Sequence, residues 1–320
     1  MAAAGGSADV VLLFPGQGSQ APGMARDLAD AYPEARAALA AADDAFGARL
    51  TRLMFDGPEA ELTRTDNAQP ALLAHGAAAW AVLRPALGGR VRAAAGHSLG
   101  EFTAYHAAGA LTLAAAVRLV RRRGELMYAS GEERPGAMAA LLGDPGRPVE
   151  ELCAEASLQG GTVVPANYNS PGQVVISGEV AGVERAMALA KEAGVKRAVR
   201  LNVSGAFHSP LMEVALPGLE RALDEAALSD PAFPVFANVT AAPVTTAGAA
   251  RELLARQLTA PVRWSALVHA LAAEYPDAVY LEVGPGAVLA GLVKKTEPRL
   301  RVLPCGTAAQ VGAALAELGA

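Results

Sequence analysis

Short unbroken apolar runs alternate with longer stretches whose apolar residues recur every three or four positions. Val10 to Phe14 (VVLLF) is one such run, closed by Pro15, Gly16, Gln17 and Gly18. It predicts a buried parallel strand running into a glycine-rich loop. Val91 to Ala95 predicts a second strand, and Glu101 to Ala110 a helix behind it. Helical spacing covers Ala21 to about Phe55, Pro58 to Leu62, a long segment from Asn67 through Leu83, and Thr112 to Tyr128.

The texture changes near Gly136. Strands are predicted at Ala137 to Leu142, Thr162 to Asn167, Gln173 to Ser177 and Val195 to Val203, with helices at Val149 to Ala156 and Val180 to Ala193. This βαββαβ order is the ferredoxin-like pattern, with Asn169-Ser170-Pro171-Gly172 as the turn between its central strands. Beyond it come helices at Leu211 to Ala226, Ala249 to Leu258, Trp264 to Glu274 and Ala308 to Leu318. Strands lie at Val235 to Val239, Ala278 to Val283 and Arg301 to Leu303. The expected architecture is α/β: a large α/β-hydrolase-like unit with a parallel sheet (residues 1–134 and 205–320) carrying a small ferredoxin-like subdomain (135–204).

Composition narrows the function classes. With 52% apolar and 18% charged residues in 320, the chain is globular, and its formal charge of -5 disfavours nucleic acid as a partner. Cys153 and Cys305 match no metal-ligand spacing and read as small buried hydrophobes of a reduced compartment. The N-terminal MAAAGGSADVVLLF lacks a basic region and a signal-length apolar run, and no uncharged stretch reaches the roughly 18 residues that span a bilayer. A cytoplasmic protein is expected.

Candidate chemistry centres on Gly96-His97-Ser98-Leu99-Gly100. Gly-x-Ser-x-Gly between a strand and a helix is the sequence form of a nucleophile elbow, which sets the serine at a helix N-terminus. A serine needs a base. His75 and His269 sit in helical stretches, His106 lies two turns beyond Ser98, and the His97 side chain points away from its neighbour. His208 stands in a Gly/Ser/Pro-punctuated loop, where catalytic groups tend to be found. No acid between Ser98 and His208 stands at a convincing strand end, which favours a Ser–His dyad steered by a backbone carbonyl. Arg121, Arg122 and Arg123 fan over about 200° of a helix, so they do not all share one solvated face.

Eight motifs in fixed order carry a family resemblance. They are FPGQGSQ (Phe14 to Gln20), QPALL (Gln69 to Leu73), GHSLGE (Gly96 to Glu101) and RRGELM (Arg122 to Met127). NSPGQVVISG (Asn169 to Gly178), GAFHSPLM (Gly205 to Met212), QLTAPVRW (Gln257 to Trp264) and EVGPG (Glu282 to Gly286) follow. Over about residues 9 to 305 the chain resembles the malonyl-CoA:acyl carrier protein transacylases and the related acyltransferase domains of polyketide synthases.

The resemblance implies Ser98 and His208 as catalytic pair, the backbone N–H groups of Gln17 and Leu99 as oxyanion hole, and Arg123 as the substrate-carboxylate site. It further implies that the Gln257 carbonyl orients the histidine and that Gln69 lines the pocket. Phe207 before the histidine and Leu99 after the serine go with malonyl in this family. The implied reaction is transfer of malonyl from malonyl-CoA through Ser98 to the phosphopantetheine thiol of acyl carrier protein, with no cofactor and no metal, by a chain acting as a monomer in fatty acid synthesis. An acidic carrier protein calls for a basic docking surface, with Lys191, Lys196, Arg197, Arg200, Lys294, Lys295 and Arg299 as candidates. The alternatives are a stand-alone acyltransferase of a polyketide synthase, a serine thioesterase or esterase, and a non-catalytic carrier-docking subunit.

Overall fold

The computed structural model describes residues 8–320. Part of the N-terminal segment read above, residues 1–7, lies outside them. Among the described residues the strands are β1 (Val10–Phe14), β2 (Val91–Gly96), β3 (Gly136–Leu142), β4 (Val163–Ser170), β5 (Gln173–Glu179), β6 (Arg197–Arg200), β7 (Val235–Phe236), β8 (Pro243–Val244), β9 (Val279–Glu282) and β10 (Arg301–Pro304). They form a six-stranded sheet of order β10-β9-β1-β2-β7-β8 and a four-stranded sheet of order β4-β5-β3-β6.

The larger sheet is parallel except for β8, which returns antiparallel to β7. Its central strand β1 is buried on both faces. Val10, Leu12 and Phe14 belong to one core, and Val11 and Leu13 to a second core with Trp264 and Leu267. Strand alternation therefore serves two apolar layers at once, which is why VVLLF carries no polar residue. Phe14 pairs with Gly96, and Leu13 pairs with Glu282. The loops after β1, β2 and β9 thus leave the same carboxyl edge, where α/β sheets place their sites. Glu282 is itself buried, and its carboxylate accepts the N–H groups of Leu289 (2.9 Å) and Ala290 (2.7 Å) at the start of the helix Val288–Thr296. That accounts for the acid of the EVGPG motif.

The smaller sheet is antiparallel throughout, with helices Val149–Ser157 and Val180–Glu192 packed on a core of its own that includes Leu141, Leu152 and Ile176. Its strand order is the ferredoxin-like one. The chain enters and leaves it at one point, since Gly131 backs so closely onto the Ser204 carbonyl that a Cβ there would lie 1.9 Å from it. Further seams join it to the large unit. The Tyr168 N–H donates to the Val262 carbonyl (2.9 Å) and the Val262 N–H donates to Ala166 (2.8 Å).

Several element boundaries differ from the sequence expectation. The helical stretch from Ala21 to Phe55 is three helices, Arg26–Ala31, Pro33–Phe46 and Leu50–Asp56. Pro33 restarts the second at its first position, and Gly47 ends it in the left-handed region at φ 74°. The turn at Asn169 to Gly172 is shorter than expected. Pro171 and Gly172, at φ 70°, close it alone, while Asn169 and Ser170 stay in β4. Leu211 to Ala226 splits into a 3-10 turn (Pro210–Ala215) and a helix (Leu216–Glu225). No helix among the described residues is long and apolar enough to cross a membrane.

Candidate active site

Ser98 sits between β2 and the helix Leu99–Ala107 with φ 50° and ψ −102°, a conformation held only by its surroundings. The flanking glycines are what allow the turn. A Cβ on Gly96 would lie 1.9 Å from the Gly100 carbonyl carbon, and one on Gly100 would lie 2.0 Å from the Phe14 carbonyl oxygen. Asn238, just past β7, clamps the elbow from the side. Its Oδ1 accepts the Ser98 N–H (2.7 Å) and its Nδ2 donates to the Gly96 carbonyl (2.7 Å).

The Ser98 Oγ is 2.7 Å from Nε2 of His208. His208 is buried, at φ 57°, and its Nδ1 is 2.8 Å from the Gln257 carbonyl. A carbonyl only accepts, so Nδ1 carries the proton and Nε2 is left to accept the serine hydroxyl. Burial lowers the His208 pKa to about 3, with the nearby Arg123 charge acting in the same direction and the Gln257 carbonyl opposing. At neutral pH the imidazole is a free base.

Arg123, in the helix Leu113–Glu133, is 1% exposed, whereas Arg121 and Arg122 face outward to Glu125. Its Nη2 donates to Ser98 Oγ (3.1 Å) and to Gln257 Oε1 (2.9 Å), and its Nη1 donates to Gln69 Oε1 (2.7 Å). The guanidinium lies over the Phe102 ring at 5.2 Å. Burial lowers its pKa to about 10, partly offset by Glu101, so it stays charged at neutral pH. Its Nε has no partner among the described residues. A fixed, buried guanidinium with unspent donors is a receptor for a carboxylate.

These groups open onto a cavity of about 460 Å³ between the two sheets, lined by Gln17, Ser98, Leu99, Arg123, Phe207 and His208 together with residues of the smaller sheet such as Met138 and Asn167. The Ser98 N–H is occupied by Asn238, and the cavity wall includes Leu99, first in its helix, and Gln17, each with a backbone amide. Neither donates to an acceptor among the described residues.

The model for the acyl transferase domain family matches residues 11–314. The chain belongs to that family. It is 43% identical over 294 residues to the malonyl CoA-acyl carrier protein transacylase of Bacillus subtilis strain 168, covering 92% of each chain. The crystal structure of the malonyl-CoA:acyl carrier protein transacylase from Xanthomonas oryzae is 44% identical, with a TM-score of 0.92 over 97% of this chain and 98% of that one. A malonyl-transacylase solved in complex with a type II polyketide synthase acyl-carrier protein is 41% identical, with a TM-score of 0.92 over 97% and 99%.

In this acyl transferase the structure brings Ser98, His208, Arg123, Gln257 and Gln69 into one hydrogen-bonded cluster, with Phe207, Gln17 and Leu99 on the wall of the same cavity. The other four histidines stand apart from Ser98 Oγ. His97 pairs with Asn169 (2.8 Å) and packs against Trp264, His75 binds the Gly306 carbonyl (2.8 Å), His106 the Leu111 carbonyl (3.0 Å), and His269 pairs with Glu297 (2.7 Å). The basic candidates are all exposed: Lys191 in the helix Val180–Glu192, Lys196 just before β6, Arg197 and Arg200 in β6, Lys294 and Lys295 in the last turn of the helix Val288–Thr296, and Arg299 beyond it. Among the described residues no three His, Cys, Asp or Glu side chains gather into a metal site.

Sequence reasoning missed Asn238 and Glu101. Glu101 is fully buried, and its Oε2 accepts both the Gln257 Nε2–H (2.7 Å) and the Asn238 N–H (3.1 Å). The one signal for it was its place at the end of GHSLGE, a charged residue on the inward side of an otherwise apolar helix. Asn238, the one polar residue in the expected strand Val235 to Val239, carried a similar one.

Proposed function

We propose that this acyl transferase moves the malonyl group of malonyl-CoA to the phosphopantetheine thiol of acyl carrier protein, supplying fatty acid synthesis. The observation that carries the reading is the buried Arg123 within hydrogen-bond reach of the nucleophile Ser98 (3.1 Å). A free carboxylate on the acyl chain is the natural partner for a guanidinium fixed at that distance from the reacting oxygen.

In the first half-reaction His208 Nε2 takes the Ser98 proton as Oγ attacks the thioester carbonyl. Charge develops on the thioester oxygen, and the Gln17 and Leu99 amides receive it, each worth about 3–4 kcal/mol to the transition state. The Gln257 carbonyl holds the imidazolium through Nδ1–H. His208 then returns the proton to the leaving CoA thiolate, leaving malonyl on Ser98. In the second half the carrier's thiol gives its proton to His208 and attacks the acyl-serine carbonyl; the ester C–O bond breaks, the malonyl thioester leaves on the carrier, and His208 returns the proton to Ser98 Oγ. Gln69 and Gln257 fix the guanidinium, and Phe207 closes the wall beside the histidine. No cofactor enters these steps.

The relatives named above support this substrate pair, as does the partner of His208 Nδ1, a backbone carbonyl in the place where a hydrolase triad has an acid. A thioesterase has no use for Arg123, and a docking subunit has no use for the dyad. A polyketide role draws support from the relative solved with a polyketide carrier; the chemistry in the cavity is the same for either carrier. We read the chain as a cytoplasmic monomer, residues 135–204 as its small subdomain, and the exposed basic residues as its carrier-docking surface.

Intact-protein mass spectrometry after brief mixing with malonyl-CoA tests the function. The expected result is a malonyl-sized adduct on the native chain, absent from Ser98→Ala and discharged by acyl carrier protein. Malonate accumulating without an adduct would move the reading to a thioesterase. Neither adduct nor malonate would leave the docking subunit.

A further inference from the structure

A carboxylate already sits beside the cationic receptor. Glu101 and Arg123 share one amide. Gln257 Nε2–H donates to Glu101 Oε2 at 2.7 Å, and Gln257 Oε1 accepts from Arg123 Nη2 at 2.9 Å. Both charged residues are buried, at 0% and 1% exposure, and they make no direct ion pair. With the pocket empty, the buried pair is close to neutral. A substrate carboxylate on Arg123 brings a second negative charge into the same enclosed space. Two carboxylates sharing one buried cation do not both stay ionised at neutral pH without a large cost.

We propose that Glu101 is the positioning residue that sets the carboxylate preference of this site: it is the counter-charge of Arg123 in the empty pocket, and it takes up one proton from solvent when the substrate carboxylate binds. The inference rests on the function proposed above. The proton goes to Oε1. Oε2 already accepts two N–H donors, whereas Oε1 has no partner among the described residues. Protonation there leaves the hold on Gln257 and Asn238 intact and frees the full charge of Arg123 for the substrate.

The other groups facing Glu101 do not compete for this proton. Arg123 stays charged, and burial together with the Glu101 charge raises the Tyr105 phenol, on the same helix, far above neutral. His208 titrates well below, at about 3. Burial pushes Glu101 itself up to about 7, against the pull of the Gln257 and Asn238 hydrogen bonds and of Arg123. Its proton is therefore exchangeable in the neutral range.

Two measurements test this. Calorimetry of the Ser98→Ala chain at pH 8, in buffers of different ionisation enthalpy, counts protons taken up with malonyl-CoA and with acetyl-CoA. Malonyl-CoA is expected to take up close to one more proton than acetyl-CoA, and Glu101→Gln in the same background is expected to erase the difference. In steady state the native KM for malonyl-CoA, relative to acetyl-CoA, is expected to rise by about tenfold per pH unit above pH 7.5. Glu101→Gln keeps an acceptor for Gln257 and mimics the neutral acid, so its KM is expected to be flat and, at pH 8.5, lower than native. A purely structural loss would raise KM at every pH. If Glu101→Gln does not fold, the proton counts of the Ser98→Ala chain decide alone. Equal counts for the two thioesters, with normal acylation of Ser98, overturn this assignment and leave the function standing; failure of malonyl-CoA to acylate Ser98 in the native chain overturns both.

Discussion

The Gln257 carbonyl lies 2.8 Å from Nδ1 of His208. The same residue's amide reaches Arg123, Glu101 and the Ser98 carbonyl (2.9, 2.7 and 3.0 Å). The proposed base, His208, and the proposed carboxylate receptor, Arg123, are thus held by one residue, through main chain and side chain respectively.

The two roles are separable. Gln257→Ala spares the carbonyl and removes the amide, so the base survives while Arg123 and Glu101 lose their bridge. A hydrogen bond to a charged group is worth about 1.5–3 kcal/mol, so kcat/KM for malonyl-CoA is expected to fall about 10–100-fold. Acetyl transfer should fall much less. Steady-state kinetics with both thioesters checks this, and an equal loss for both would mean that His208 had moved as well.

Arg123→Ala is expected to abolish most malonyl transfer and to gain activity toward acetyl-CoA. It deletes the proposed partner of the substrate carboxylate and leaves an uncharged space beside Ser98. A loss of at least roughly 100-fold in malonyl kcat/KM fits a buried charge-assisted contact. Unchanged malonyl kinetics would remove Arg123 from its assigned place.

If His208 acts as the proposed neutral base, then with its pKa lowered by burial to about 3 the acylation rate is expected to be flat from about pH 5 to pH 8. It should fall only as pH drops toward the pKa, where the imidazole protonates. Stopped-flow acylation with acetyl-CoA across that range gives the profile. His208→Ala should lower the plateau by about 10²–10⁴-fold, the usual worth of a positioned base.

Gly100→Ala tests the elbow itself. Its Cβ would lie 2.0 Å from the Phe14 carbonyl oxygen, a backbone atom that has no room to yield. Overpacking of this kind typically costs about 1–3 kcal/mol. A lowered melting temperature together with loss of the Ser98 adduct is expected; a native melting temperature with full activity would show that the elbow relaxes.

The basic candidates divide into two groups. Arg200 pairs with Glu184 (3.4 Å) and Arg299 with Glu297 (3.4 Å). Lys191, Lys196, Arg197, Lys294 and Lys295 make no ion pair among the described residues. Reversing Lys196 and Arg197 together is expected to raise KM for acyl carrier protein roughly 3–30-fold, from about 1 kcal/mol at most per exposed pair, and to leave the malonyl-CoA half-reaction alone. If both halves slow together, the patch is structural.

Much of this arrangement was legible in the sequence because its signals are local. VVLLF had to be a strand buried on both faces, and Gly96-x-Ser98-x-Gly100 had to be a tight turn. The three arginines fan too widely to share one solvated face, but only the family resemblance singled out Arg123, the one that is buried. The network behind the dyad was not legible. Glu101 meets Asn238 and Gln257 across 137 and 156 residues, through side chains whose types are common in loops and helices. Element ends were also missed where a single backbone angle decides them, as at Gly47 and Gly172.

Gly131 abutting Ser204 means that the chain steps out to the smaller sheet and back through a gap of one backbone contact. In engineering terms that sheet is a cassette with both ends at the same socket, exchangeable between relatives without respacing the large sheet. The socket has a second pin, however. Val262 is hydrogen-bonded to Ala166 and Tyr168 of β4, and His97 beside the nucleophile reaches Asn169. A transplanted cassette should therefore bring a matching segment around Val262 with it, or the elbow will register the mismatch before the carrier does.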